Sequence, residues 1–113
     1  MKNWTPAQLV TLCNRIQEGR SWVKCVEPDE RNKILEKGKM YKVAVYVDAA
    51  NTHRGVETNG VILSSFMVKG ELTIWPYVWD IGRFELYTPT NDEESKYSLE
   101  IDHYLRKGRG KEK

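Results

Sequence analysis

The sequence has few cysteines and no long apolar run, and both shortages restrict what the protein can be. Of its 113 residues only Cys13 and Cys25 are cysteine, whereas small secreted scaffolds depend on several disulfides. No segment approaches the ~20 apolar residues that span a bilayer, and residues 1–10 lack the apolar stretch of a signal peptide. We therefore expect a soluble, cytoplasmic protein without membrane contact, whose cysteines are reduced and buried.

An excess of charge of one sign is also missing. The 18 basic and 16 acidic side chains leave a net charge of +2, which is too balanced to indicate a nucleic-acid or membrane partner. The composition, 40% apolar and 30% charged, is that of an ordinary globular domain. We predict a single domain over residues 1–105, followed by a basic, flexible tail at 106–113.

Residue groups that carry catalysis or hold a cofactor are absent from the sequence. His53 and His103 have no cysteine, histidine or paired carboxylate at ligand spacing, and neither glycine-rich phosphate-binding motif occurs. Ser64 and Ser65 lie in a predicted strand and lack the glycine-flanked turn of a hydrolase nucleophile. We expect a protein that is not an enzyme and uses no metal or cofactor.

A capped helix is predicted at the start of the chain. Thr5 and Gln8 have the spacing of a capping box, Pro6 stands at the first helical position, and Gly19 is a stop signal. Between these signals apolar residues recur at helical spacing, at Leu9, Val10, Cys13 and Ile16. The pattern predicts a helix over residues 5–19 with one apolar face.

After residue 20 the apolar period changes to two. Alternation at Tyr41, Val43, Val45 and Val47 predicts a strand over residues 40–48 with these four side chains on one face. Shorter candidate strands cover residues 21–26, 61–68, 72–77 and 83–87. A reversal at Lys69-Gly70 joins the strand 61–68 to the strand 72–77. Residues 49–60 are predicted to form a long exposed loop. Five short strands over about 67 residues indicate a small, strongly bent antiparallel β-barrel spanning 21–87.

The segment 92–105 fits two kinds of element. Tyr97, Ile101, Tyr104 and Leu105 form a helical stripe, whereas Tyr97, Leu99, Ile101 and His103 alternate as in a strand. Helix is favoured because acidic residues in its first turn complement the helix dipole, and Asn91 with Glu94 can cap it. The predicted fold class is α+β: an amino-terminal helix packed on the barrel, with a carboxyl-terminal helix or strand.

Parts of the strand pattern resemble a known family. Residues 35–43, LEKGKMYKV, resemble the opening of the small Src-homology-3-like barrels of phage and prophage proteins, and residues 22–26 resemble their first strand. Residues 75–77, WPY, and 82–85, GRFE, resemble the aromatic step and the last strand of the same group. The resemblance covers residues 22–87. It implies a Src-homology-3-like barrel in a phage-type accessory protein that binds a partner in the host cytoplasm.

Aromatic side chains near residue 80 provide the first candidate binding site. Trp75 and Tyr77 share one face by period, opposite Leu72 and Ile74. Either face can be the core, so the aromatic residues fill the barrel or form an exposed platform flanked by arginine, as in protein hot spots. The candidate partner contacts are Trp75, Tyr77, Trp79, Arg83, Tyr87, His53 and Arg54.

Two basic segments provide the second candidate. Residues 31–40 and 101–113 each carry an excess of positive charge, which suits phosphate contacts, although acidic runs at 27–30 and 92–94 make a solvated, mixed-charge surface the simpler interpretation. The candidate phosphate contacts are Arg31, Lys33, Lys37, Lys39, Arg106, Lys107 and Arg109.

These observations predict a non-enzymatic accessory protein that binds a host macromolecule. The leading interpretation is a host protein that is modulated or inhibited by steric occlusion. The alternative is a small nucleic-acid-binding module, in which the aromatic residues stack bases and the basic segments hold phosphates. The sequence leaves the oligomeric state open.

Overall fold

The computed structural model describes residues 2–53 and 56–111, and for 49–53, 56–58 and 108–111 it describes the backbone alone. This part of the chain divides into two compact units, residues 2–64 with 75–88 and residues 65–74 with 89–111. The sequence predicts one domain over 1–105. Residues 65–74 pair with themselves as a hairpin and do not join the sheet of the first unit.

Helix α1, Pro6–Glu18, begins and ends as predicted. Thr5 Oγ1 accepts a hydrogen bond from Gln8 N at 3.2 Å, and Gln8 Oε1 accepts one from Thr5 N at 3.0 Å, which completes the capping box. Gly19 ends the helix with a φ of 74°, a left-handed conformation that favours glycine. Leu12 on the inner face of α1 is fully buried.

The strands within the described residues are, in chain order, β1 (Trp22–Cys25), β2 (Met40–His53), β3 (Val56–Leu63), β4 (Phe66–Val68), β5 (Glu71–Thr73), β6 (Trp79–Asp80) and β7 (Phe84–Leu86). Five of them form an antiparallel sheet in the first unit, in the order β6-β3-β2-β1-β7. A 3-10 turn, Ile81–Arg83, joins β6 to β7. The last strand pairs with the first, but no ladder among the described residues joins β6 to β7, so these ladders do not close a barrel.

A bulge in β2 changes the face that its valines present. The pairing of β2 with β3 shifts register between Val43 and Val45, and an extra residue in one strand reverses the alternation of side chains. Tyr41 and Val43 are therefore buried, whereas Val45 is 46% exposed. The prediction that all four alternating residues share one face is therefore wrong at Val45 and Val47, which follow the bulge.

The prediction of a loop over residues 49–60 is also wrong. β2 continues to His53 and β3 begins at Val56, with Asn51 opposite Thr58 and Thr52 opposite Glu57. Backbone hydrogen bonds along the β2–β3 ladder outweigh the low strand propensity of asparagine and glycine in this segment.

The core of the first unit centres on Tyr41. Its ring packs edge to face on Phe84 with centroids 6.2 Å apart, and its hydroxyl accepts a hydrogen bond from Glu36 N at 2.9 Å. This bond ties the β1–β2 connection to the sheet. The buried apolar residues of the unit are Leu12, Trp22, Val23, Cys25, Leu35, Tyr41, Val43, Val61, Leu63, Trp79, Ile81 and Phe84.

The two cysteines differ in burial. Cys25 is fully buried, and burial raises the pKa of its thiol, whereas Cys13 on α1 is only half-buried. Neither forms a disulfide within the described residues. The prediction of buried cysteines therefore holds for Cys25 alone.

The second unit consists of the β4–β5 hairpin and helix α2, Asn91–Lys111. Lys69 and Gly70 form the predicted reversal, with φ angles of 49° and 82° that match a two-residue hairpin turn. α2 contacts both strands, and Tyr97 Oη donates a hydrogen bond to Ser65 O at 3.2 Å. The α+β class is confirmed, with an amino-terminal helix, antiparallel sheets and a carboxyl-terminal helix.

The ends of α2 differ from those that the sequence predicts. Thr90 N donates to Glu93 Oε1 at 3.0 Å and Glu93 N donates to Thr90 Oγ1 at 3.2 Å, so the capping pair lies one residue before the predicted Asn91 and Glu94. The helix continues through residues 106–111, a segment for which the sequence predicts a flexible tail. None of the helices in the described part of the chain is long and apolar enough to cross a membrane.

Replacing Tyr41 with phenylalanine should lower the free energy of unfolding by about 1–3 kcal/mol, because the Glu36 N–H loses its acceptor while the ring packing is kept. Denaturant unfolding followed by fluorescence measures the change. Tyr104→Phe, at a half-buried position of α2, is the matched control and should change stability by less than about 0.5 kcal/mol. Equal stability of Tyr41→Phe and the parent protein would contradict the assigned role.

Alkaline pH should weaken the second unit through Tyr97. Burial raises the pKa of this phenol to about 12, above the ~10 of an unfolded chain. The folded state therefore holds the proton longer, so its stabilising contribution is complete below about pH 10 and is lost as the pH rises toward 12. Circular dichroism over this range should show a steeper loss of helix for the parent protein than for Tyr97→Phe, and Tyr104→Phe should behave like the parent.

Candidate functional site

A groove of about 670 Å³ in the first unit brings two irregular segments together. One side consists of residues 27–32, which follow β1, and the other consists of Trp75, Tyr77, Val78 and Trp79, which precede and begin β6. Arg83 completes the lining. Four of the seven candidate partner contacts, Trp75, Tyr77, Trp79 and Arg83, are thus brought to one place.

The aromatic side of the groove is a graded stack of rings. Trp75 and Trp79 are stacked with centroids 5.7 Å apart and planes 23° apart, and the Tyr77 ring meets Trp75 edge-on at 5.5 Å and 71°. Trp79 is 7% exposed, Trp75 is half-buried and Tyr77 is 66% exposed. Neither Trp75 nor Tyr77 is buried in the core, and both rings reach the surface while the buried Trp79 ring supports them. Ile74, on the opposite face by period, is exposed.

Trp79 is a core residue as well as part of the groove. It pairs with Val61 across β3 and β6, and this pairing sets the position of its ring. Its indole Nε1 is buried without a hydrogen-bond partner, which is unusual for a native protein and costs about 1–3 kcal/mol. Sequence reasoning missed this burial because Trp79 lies just after Pro76, in a segment without a clear period.

Arg83 holds the opposite side of the groove in place. Its Nη1 donates to the carbonyl oxygens of Glu27 and Pro28 at 3.4 and 3.3 Å, and its own carbonyl accepts from Val26 N and Glu27 N at 2.8 and 3.1 Å. The guanidinium group lies 6.0 Å from the centroid of the Trp79 ring. Arg83 is therefore a positioning residue that links both sides.

The segment 27–32 is shaped by a buried carboxylate. Asp29 accepts hydrogen bonds from Arg31 N at 3.1 Å and Asn32 N at 3.3 Å, as in an Asx turn. Because Asp29 is turned inward, the side chains of Glu30 and Arg31 remain exposed at the groove. The lining contains three carboxylates, of Glu27, Asp29 and Glu30, against the guanidinium groups of Arg31 and Arg83.

The amino-terminal segment braces the turn that carries Arg83. Trp4 Nε1 donates to the carbonyl oxygens of Ile81 and Phe84 at 3.0 and 2.9 Å, and Lys2 N donates to Gly82 O at 2.8 Å. In the sequence, Trp4 and Leu9 have the positions of a hydrophobic staple, which indicates only a local contact with α1. No sequence signal indicates these contacts, which join residues almost eighty positions apart.

The other candidate partner contacts do not line the groove. Tyr87 is half-buried, and Lys24 Nζ lies 4.2 Å from the centroid of its ring, while its carbonyl oxygen accepts from Arg15 Nη1 at 3.3 Å. His53 is the last residue of β2, and its side chain is not described. Arg54 lies outside the described residues.

The candidate phosphate contacts are divided between the two units. In the first unit Arg31 lines the groove, Lys33 and Lys37 are exposed, and Lys39 Nζ lies 5.7 Å from the centroid of the Tyr41 ring. In the second unit Arg106 and Lys107 are exposed on α2, and the side chain of Arg109 is not described.

Comparison with protein families, with curated proteins and with solved structures found no match. Among the described residues, no three His, Cys, Asp or Glu side chains are placed to hold a metal ion. The function of the groove is therefore inferred from its own geometry and charge.

Removing the indole N–H of Trp79 should stabilise the protein, because this buried group has no hydrogen-bond partner. Replacing Trp79 by benzothienylalanine, which puts sulfur in place of the N–H and keeps the ring shape, should raise the free energy of unfolding by up to about 1–3 kcal/mol. The same replacement at Trp4 should lower it by about 1 kcal/mol or more, since that N–H donates to two carbonyl groups. Denaturant unfolding measures both, and destabilisation of the Trp79 variant would show that its N–H has a partner.

Proposed function

We propose that the protein is a non-enzymatic binding module, a phage-type accessory protein whose groove engages a host protein and modulates or inhibits it by steric occlusion. The observation that carries this proposal is the graded aromatic stack, in which buried Trp79 supports half-buried Trp75 and exposed Tyr77. Tryptophan, tyrosine and arginine are the residue types that dominate the binding energy of protein interfaces.

The arrangement also limits the entropy that binding would cost. Trp75 is held by stacking on Trp79, and the facing segment 27–32 is held by Arg83 and by the buried Asp29 carboxylate. Side chains that are ordered before a partner arrives lose little rotamer freedom on contact. A preformed groove with two aromatic anchors suits the recognition of a protein surface.

Nucleic acid is the alternative partner, and the charge of the groove disfavours it. Exposed rings and Arg31 would suit base stacking and phosphate contacts. However, Glu27, Asp29 and Glu30 line the same groove and would repel a phosphate backbone. A protein partner is therefore the better supported choice.

The small-barrel architecture is part of the proposal. The last strand, β7, pairs with the first strand, β1. Both ends of residues 22–87 therefore lie on neighbouring strands, as in a strongly curled sheet. Four segments resemble the phage family: residues 22–26 cover β1, residues 35–43 lead into β2, residues 75–77 precede β6, and residues 82–85 cross the 3-10 turn into β7. The same resemblance supports action in the host cytoplasm.

The proposal is tested by removing the two surface rings together. The double variant Trp75→Ala, Tyr77→Ala should lose a host protein that the parent chain captures from bacterial lysate, because both anchors of the groove are gone while buried Trp79 is kept. Captured proteins are identified by mass spectrometry with and without nuclease treatment.

Leu99→Ala is the matched control, since Leu99 is 67% exposed and Tyr77 is 66% exposed, and it should keep the captured protein. A partner that the folded double variant binds as tightly as the parent would contradict the proposed site. If every association disappears with nuclease and weakens steeply with salt, the nucleic-acid alternative is correct.

A further inference from the structure

We infer that the groove takes an extended peptide segment of its partner and selects one with a basic side chain, arginine or lysine, placed between Glu30 and the Trp75–Tyr77 rings. The inference rests on the proposed function and narrows it, because it names the chemistry that the partner must present. Charge, ring geometry and shape support it independently.

The first support is the local charge. The chain carries a net charge of +2, whereas the groove is lined by three carboxylates and two guanidinium groups, an excess of one negative charge. One of the two cations, Arg83, is held by the carbonyl groups of Glu27 and Pro28. The excess of carboxylates in the lining attracts a basic ligand and repels an acidic one.

The second support is the corner formed by the exposed rings. The planes of Trp75 and Tyr77 meet at 71° with centroids 5.5 Å apart, and Tyr77 is largely exposed. The face of an aromatic ring attracts a cation within about 6 Å of its centroid. The position beside the Trp79 ring is already occupied by Arg83. A cation from a ligand would therefore contact the exposed corner formed by Trp75 and Tyr77.

The third support is the shape. The groove runs between residues 27–32 and 75–79, and its volume of about 670 Å³ lies within the ~300–1,000 Å³ typical of sites for small ligands. A space of this size is large enough for a few extended residues. An extended segment with one basic side chain satisfies both the size and the charge of the site.

Pools of short fluorescein-labelled peptides test the inference directly. Each pool carries arginine, lysine, alanine or glutamate at its centre and random uncharged residues elsewhere, and fluorescence polarisation measures binding to the full chain. The arginine and lysine pools should bind about tenfold more tightly than the glutamate pool. Trp75→Ala should reduce the binding of the basic pools.

Charge reversal at the rim separates the groove from the rest of the surface. Glu30→Lys should abolish or invert the preference for basic pools, because Glu30 is an exposed carboxylate of the lining. Glu36→Lys makes the same charge change at an exposed position in the same connection but outside the lining, and it should keep the preference.

Three results would overturn the inference: equal binding of all pools, no binding of any pool, or the same loss in Glu36→Lys as in Glu30→Lys. These results are distinguishable from failure of the proposed function. The proposed function fails if the Trp75→Ala, Tyr77→Ala variant still captures the host protein from lysate, and this result does not depend on how the peptide pools bind.

Discussion

Arg83 joins the two sides of the groove, and the rest of the site depends on this link. Its side chain donates to carbonyl groups after β1, its backbone oxygen accepts from amides of the same segment, and its guanidinium lies beside the Trp79 ring. The guanidinium can donate to the carbonyl groups and also lie beside the ring because it is planar and offers several donors in fixed directions. Without its side chain, the segment 27–32 would lose the hydrogen bonds that the carbonyl groups of Glu27 and Pro28 accept.

The 3-10 turn that presents Arg83 is itself held from two directions. Asp80 Oδ1 accepts from Gly82 N at 2.8 Å within the turn, and Trp4 donates to the carbonyl groups at both ends of it. On the opposite side of the groove, the Tyr41 hydroxyl holds the β1–β2 connection, which contains residues 27–32, to the sheet. The groove therefore lies between segments that lack regular structure but are fixed by hydrogen bonds to a packed core.

Burial and exposure divide the aromatic residues into supporting and contacting groups. Trp79 contributes area to the core, and its orphaned indole N–H is the energetic cost of placing a tryptophan there. Trp75 and Tyr77 extend the stack outward to the surface. The proposal of a basic protein segment as ligand rests on the carboxylates that line the same groove, which would repel a phosphate backbone.

By itself, the sequence determined the elements whose signals are local. These are the capping box and glycine stop of α1, the turn at Lys69-Gly70, the start of β2 and the helical preference of α2, because each depends on contacts between near neighbours. Tertiary structure alone decided the bulge after Val43, the pairing of residues 51–53 with 56–58, and the burial of Trp79. It also decided the role of Arg83, since these features depend on partners tens of residues away that no local pattern records.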